Sequence, residues 1–146
     1  MTAKDNRDEV FFYHWFDCPA YGIANLNGQP HFFEFQGYQP TPNPNYLLSP
    51  VSQDILQMAK ESWDISKRWE TAHRQGKVHA NTHPYLDEDR QRGSELDAKL
   101  REAFVLDKEN AIEKAATFSL KTPQQGSESS KDLMVQWTTP APQNTP

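Results

Sequence analysis

The sequence has few of the features that mark common protein classes, beginning with cysteine. Cys18 is its single cysteine, so an internal disulfide framework is excluded and a reducing compartment is favoured. No stretch approaches the roughly 20 apolar residues of a membrane-spanning helix, and the charged start does not have the pattern of a signal peptide. We therefore expect a soluble, cytoplasmic protein of bacterial type that does not contact a membrane.

Basic charge is also scarce. The chain carries 15 Lys and Arg against 20 Asp and Glu, so its formal net charge is −5 at pH 7. A protein that binds the phosphates of nucleic acid or of an anionic bilayer needs an excess of cations. Nucleic-acid and membrane partners are therefore not expected.

The common catalytic motifs are missing as well. The sequence contains no phosphate-binding Gly-rich loop, no Gly-x-Ser-x-Gly, no His-Glu-x-x-His and no Cys-x-x-Cys. Nucleotide-dependent enzymes, serine hydrolases, zincins and thiol-redox proteins therefore have no support from a sequence motif. We expect no cofactor, and an enzyme is the less favoured class.

Aromatic and β-branched residues are abundant in the first third of the chain and predict strands there. Residues 10–16 form a near-continuous apolar run typical of a strand. Asn27 and Gly28 stand between two β-like runs and both tolerate the positive φ of a tight turn, so they predict a hairpin. The Pro-rich stretch 39–45 predicts a loop, and residues 46–49 a short edge strand.

The middle of the chain has helical periodicity. Ser52 is a good N-cap and Gly76 a good end, which together bound a first helix. A second helix is expected over residues 84–104, with ion pairs four residues apart on its exposed face. Gly93 inside that helix predicts close packing against the first helix.

The last third returns to a period of two residues, over 112–120 and again over 133–137, and predicts a closing strand pair. We expect a flexible N-terminus (1–8), a single α+β domain (9–138) and a disordered Pro-rich tail (139–146). The expected α+β fold is an antiparallel sheet, made of the N-terminal strands with their Asn-Gly hairpin plus the C-terminal strand pair, packed against two central helices.

Five polar residues are weak candidates for catalysis: His14, Asp17, Cys18, His31 and Glu34. Cys18 with His14 and Asp17 has the residue types of a thiol nucleophile, its base and an orienting carboxylate. Three members so close in sequence, on a strand and a turn, point in different directions, which favours a semi-buried structural cysteine. His31 and Glu34 fall on opposite faces of one strand, so both line a pocket only if a bulge intervenes.

Two histidines are weak candidates for metal binding. His79 and His83 have a spacing seen in zinc ligand pairs. Gly76 and Pro84 place both in the loop between the helices, where nothing fixes the two rings together. We therefore favour solvated loop histidines and expect no metal.

The N-terminal strands carry aromatic residues on both faces, so one aromatic face is a candidate binding surface. Its residues, with a tryptophan of the first helix, are Tyr13, Trp15, Tyr21, Phe33, Tyr38 and Trp63. The favoured function is a non-enzymatic binding or regulatory module for a protein partner. The alternative is a small enzyme or ligand-binding domain with a pocket near the N-terminal hairpin and the Pro-rich loop, to which Tyr21 also contributes.

Overall fold

A computed structural model describes residues 7–16, 18–38, 43–120 and 133–139, without the side chains of Trp15, Phe16 and Leu120. In chain order the elements are β1 Asp8–Phe16, β2 Cys18–Leu26, β3 Gln29–Gly37, β4 Asn45–Pro50, α1 Gln53–Arg74, α2 Arg90–Ala103, β5 Ile112–Leu120 and β6 Leu133–Thr138. The expected α+β class with an antiparallel sheet is confirmed. Among the described residues, no helix is long and apolar enough to cross a membrane.

The chain divides into two compact units. The barrel unit contains residues 1–51 and 105–146, and the helical unit contains residues 52–104. The single domain over 9–138 stays a prediction. The expected flexible N-terminus and Pro-rich tail lie mostly outside the described residues, although β1 already begins at Asp8.

The sheet is a closed barrel, which corrects the expected sheet packed against two helices. The strands are hydrogen-bonded in chain order, and β1 pairs with β6 to complete the ring. The two C-terminal strands therefore join β4 to β1. β4, expected as an edge strand, pairs with β3 on one side and β5 on the other.

The β2–β3 hairpin is confirmed at Asn27 and Gly28. Leu26 pairs with Gln29 across the turn, and φ is +55° at Asn27 and +79° at Gly28. These two residue types adopt positive φ at low cost, so the turn sets the register of the hairpin locally.

β1 and β2 approach each other closely at Gly22. The pairing of the two strands shifts twice between Phe12 and Trp15, which bends β1. Opposite Phe12 stands Gly22, where an added Cβ would lie 2.8 Å from the Cα of Phe12 and closer still to the carbonyl oxygen of Phe11. Only glycine fits between the two backbones at this point.

The barrel interior is packed around Tyr46 of β4. Its ring centroid lies 5.3–5.9 Å from those of four aromatic side chains: Phe33, Phe35, Phe118 and Trp137. The Tyr46 hydroxyl donates a hydrogen bond of 2.5 Å to the carbonyl oxygen of Pro19. Burial, together with a hydrogen bond to Cys18, raises the pKa of Tyr46 far above its usual value, so the hydroxyl stays protonated.

The helical unit begins where the sequence predicts. The Ser52 hydroxyl accepts a hydrogen bond from the backbone N–H of Ile55, and α1 is followed by Gly76 at φ +73°. The expected second helix is shorter than predicted, because α2 starts only at Arg90, after the 3₁₀ turn Asp87–Asp89.

The space beside Gly93 is filled by Tyr85 of the connection, which corrects the expected packing of Gly93 against the first helix. An added Cβ at Gly93 would lie 2.5 Å from the Tyr85 ring. The Tyr85 hydroxyl also donates a hydrogen bond to the Gly93 carbonyl. An ion pair between Arg92 and Glu61 links α2 to α1, and a second, between Arg68 and Asp89, links α1 to the 3₁₀ turn before α2.

Candidate functional site

The predicted thiol site is not assembled within the described residues. Cys18 is buried and pairs with Phe16 at the start of β2. His14 is exposed and pairs instead with Tyr21, three residues further along β2. Asp17 lies outside the described residues. A buried thiol that is separated along the strand from the exposed imidazole favours a structural role for this cysteine.

His31 and Glu34 lie on opposite faces of β3, as strand alternation predicts. His31 pairs with Ala24 of the barrel core, is buried, and its Nδ1 lies 2.7 Å from the carbonyl oxygen of Gln29. Glu34 is exposed on the outer face and pairs with Tyr21. The expected pocket therefore loses His31, whereas His14, Tyr21 and Glu34 come together.

The six candidate binding residues do not share one surface. Phe33 is fully buried in the barrel core and Trp63 is buried in the helical unit. Tyr38 is 41% exposed and packs edge-on against Phe35. The side chain of Trp15 is outside the described residues. Tyr13 and Tyr21 are the pair that the structure places together, with ring centroids 6.4 Å apart.

Tyr21 lies at the centre of a row of side chains that crosses the outer face of the barrel. Successive strand pairs align one residue from each of β1 to β5, and registered partners point to the same face of a sheet. We define the Tyr21 row as these five residues: His14, Tyr21, Glu34, Leu47 and Glu113.

Ring contacts hold Tyr21 in place within the row. The Tyr13 and His14 rings lie 14° and 24° from parallel to it, and the Phe32 ring packs against it at 6.3 Å. Phe32 is 3% exposed, whereas Tyr21 and Tyr13 are half-buried. The Tyr21 ring is thus seated on a buried aromatic neighbour, and part of it still reaches solvent.

Two carboxylates in the row face solvent. Glu34 and Glu113 are exposed and stand on either side of the half-buried Leu47. Neither carboxylate has a hydrogen-bond or ion-pair partner in the part of the chain that the structure describes. Sequence reasoning missed Leu47 and Glu113, because joining them to Tyr21 requires the register of β3, β4 and β5.

The helical unit contains a cavity of about 680 Å³ that involves none of these residues. Side chains of both charge signs line it, with Lys67, Arg68 and Lys77 opposed by Asp64 and Glu88. The Arg68 guanidinium donates two hydrogen bonds to Asp89, at 2.9 and 3.1 Å, and they raise the pKa of Arg68. With both signs present and Arg68 already paired, the cavity selects no single ligand charge.

Of the two metal candidates, His83 packs its ring against Trp69, whereas His79 is linked to Trp69 only through its backbone carbonyl and Thr82. The His83 ring packs edge-on against Trp69 at 4.7 Å, and the His73 ring stacks on it at 4.8 Å. The indole N–H of Trp69 donates to Thr82, whose hydroxyl donates to the carbonyl oxygen of His79. Within the described ranges, no group of three or more His, Cys, Asp or Glu side chains is arranged to hold a metal ion.

Comparison of the chain with protein-family models, with curated proteins and with solved structures found no match. The candidate site is therefore defined by its geometry alone, as the Tyr21 row.

Proposed function

We propose that this protein is a non-enzymatic binding module that recognises a protein partner through the Tyr21 row. The observation that carries the proposal is the half-buried Tyr21 ring, held by three aromatic neighbours and flanked by the exposed His14 and Glu34. A tyrosine held in this way contributes apolar contact area at low conformational cost.

The row has the composition of a protein interface. Tyrosine is enriched at interface centres, and polar or charged side chains form the solvent-accessible rim. In the Tyr21 row the aromatic and apolar positions are Tyr21 and Leu47, with charged or ionisable residues beside each. This pattern supports binding of a partner that covers several strands.

The positions of the polar candidates support binding over catalysis. A catalytic site needs its acid, base and nucleophile within hydrogen-bond reach of a common point. His31 is on the inner face, Cys18 is buried, and His14 and Glu34 are exposed on the outer face. This separation makes the pocket-based alternative the weaker proposal.

The test is a comparison of proteins captured from a lysate of the source organism by the wild-type chain and two surface variants. Glu34→Lys reverses a charge inside the row. Gln136→Lys is the matched control, because Gln136 is exposed on β6 and pairs with Thr117 away from the row. Both variants are first checked for an unchanged melting temperature, since neither substitution alters a buried residue.

The proposal expects at least one protein to be captured by the wild type and by Gln136→Lys but lost from Glu34→Lys. Quantitative mass spectrometry measures the difference. Identical sets of captured proteins for all three chains would contradict a partner site at the Tyr21 row.

A further inference from the structure

We infer that the partner segment is an extended, proline-rich peptide with two cationic residues three positions apart, which lies along the Tyr21 row. The inference rests on the proposed function and names the chemistry of its partner. Three features of the row carry it: the spacing of its two carboxylates, the aromatic surface beside them, and the absence of an ion-pair partner for either carboxylate among the described residues.

The spacing of the carboxylates sets the spacing of the cations. Glu34 and Glu113 lie on β3 and β5, with Leu47 of β4 between them. Neighbouring strands are about 4.8 Å apart, so the two side chains leave the sheet about 10 Å from each other. A peptide that pairs with both needs cations at that separation on one side of its backbone.

The polyproline II conformation meets this requirement with three residues. It rises about 3.1 Å per residue with three residues per turn, so positions i and i+3 share a face about 9.3 Å apart. In a β-strand, positions i and i+3 point to opposite faces, while i and i+2 are only about 6.8 Å apart. The row therefore favours a polyproline II segment with the pattern cation-x-x-cation.

The aromatic end of the row favours the same conformation. Tyr21 lies one strand beyond Glu34, and His14 one strand beyond Tyr21. Aromatic surfaces bind proline-rich segments because the preformed helix loses little entropy on docking. One or two positions after the second cation, a proline ring would lie over the exposed part of the Tyr21 ring.

Charge also selects a basic peptide. Both carboxylates are exposed without partners in the described part of the chain, and the whole chain carries a formal charge of −5. Arginine is the better cation here, because its planar guanidinium binds a carboxylate through two hydrogen bonds and stacks on tyrosine. The peptide is expected to associate faster and more tightly at low salt.

The test is fluorescence anisotropy with labelled proline-rich dodecapeptides and the full chain. The first peptide has two arginines at i and i+3, the second has them at i and i+2, and the third has glutamine at both positions. The first peptide should bind about fivefold tighter than the second, which can keep only one ion pair, and about 25-fold tighter than the third, which keeps neither. Raising the salt concentration from about 50 mM to about 300 mM should weaken binding of the first peptide severalfold.

Three protein variants complete the design. Glu34→Gln and Glu113→Gln should each weaken the first peptide by about fivefold, because each removes one exposed ion pair. Glu102→Gln is the control, since Glu102 is an exposed carboxylate of the helical unit. Its affinity for the peptide should equal that of the wild type.

Each outcome decides a different part of the inference. Equal affinity for the two arginine spacings, or loss of binding with Glu102→Gln alone, would overturn it. If no peptide binds but Glu34→Lys still loses a captured protein, the peptide class is wrong and the proposed function stands. If the captured proteins are also unchanged by Glu34→Lys, the proposed function itself fails.

Discussion

The barrel and the helical unit hold their aromatic side chains in different ways. In the barrel, the indole N–H of Trp137 bonds to the carbonyl oxygen of Asn25, 112 positions away in sequence. In the helical unit, Trp69 bonds to Thr82, only 13 positions away, and stacks on His73 one turn along its own helix. The barrel therefore depends on the register of distant strands, and the helical unit on local contacts.

The largest expected effect is a difference in lost stability between two glycine substitutions, one in each unit. Gly22→Ala should destabilise the protein by about 3 kcal/mol or more, because the new methyl group meets the backbone of β1, which cannot move aside. Gly93→Ala meets only the Tyr85 ring, and the gain of about 1 kcal/mol in helix propensity offsets part of that clash. Equilibrium denaturation measures both free energies of unfolding.

Equal losses from the two substitutions would show that the barrel is no more constrained than the helical unit. Gly28→Ala is a further control. Its added Cβ has open space around it, so it should cost only the positive-φ strain of about 1 to 2 kcal/mol.

An intermediate effect is expected from removing one hydrogen bond in each unit. Tyr46→Phe leaves the fully buried carbonyl of Pro19 without its donor, which should cost about 1 to 3 kcal/mol. Trp69→Phe removes the donor to Thr82, but that hydroxyl is only half-buried and also reaches His79. Loss of this hydrogen bond in Trp69→Phe should therefore lower the free energy of unfolding by about 1 kcal/mol.

Thermal and denaturant unfolding of the two variants test the order. A larger loss of stability for Trp69→Phe than for Tyr46→Phe would contradict this order. The hydrogen bond that contributes more to stability would then be the one in the helical unit.

Local signals made much of the fold predictable. Asn27-Gly28 identifies the hairpin from two residues because the turn type needs their positive φ. Ser52 and Gly76 likewise identify the bounds of α1. The closed barrel was not predictable in this way, because nothing near β6 in sequence specifies that it pairs with β1.

The residues of the candidate site likewise differ in whether local sequence could identify them. His14, Tyr21 and Glu34 were identifiable as polar candidates within one hairpin and its neighbouring strand. Leu47 and Glu113 join them only through the register of β3 with β4 and of β4 with β5. Of these two pairings, the one between β4 and β5 joins segments that the helical unit separates in sequence, so no local signal predicts it.

The smallest expected effects depend on pH and belong to two half-buried carboxylates of the helical unit, Glu61 and Asp97. Hydrogen bonds from Arg92 hold the pKa of Glu61 below its usual value. The stability that this ion pair contributes is therefore fully present at pH above the unfolded-state pKa of Glu61, and it is lost as the pH falls through the folded-state pKa. Burial raises the pKa of Asp97 above its usual value, so ionised Asp97 costs stability and acidification removes the cost.

Glu61→Gln should therefore destabilise the protein slightly at pH 7, and Asp97→Asn should stabilise it slightly. Both changes should stay below about 1 kcal/mol because solvent screens the charges. The effect of Asp97→Asn should fade as the pH is lowered toward 4, that of Glu61→Gln should begin to fade only below about 4.5, and the effect of Tyr46→Phe should stay constant. Melting temperatures across this range measure the trend, and a pH-independent effect of Asp97→Asn would contradict the assigned cause.

The most direct test of the Tyr21 row is a ¹H–¹⁵N NMR titration of the full chain with the dodecapeptide that carries arginines at i and i+3. The largest amide shifts should fall at Tyr21, Glu34, Leu47 and Glu113, on four neighbouring strands of the barrel. Largest shifts at Lys67, Arg68 and Lys77, around the cavity of the helical unit, would contradict the assignment of the binding surface to the barrel.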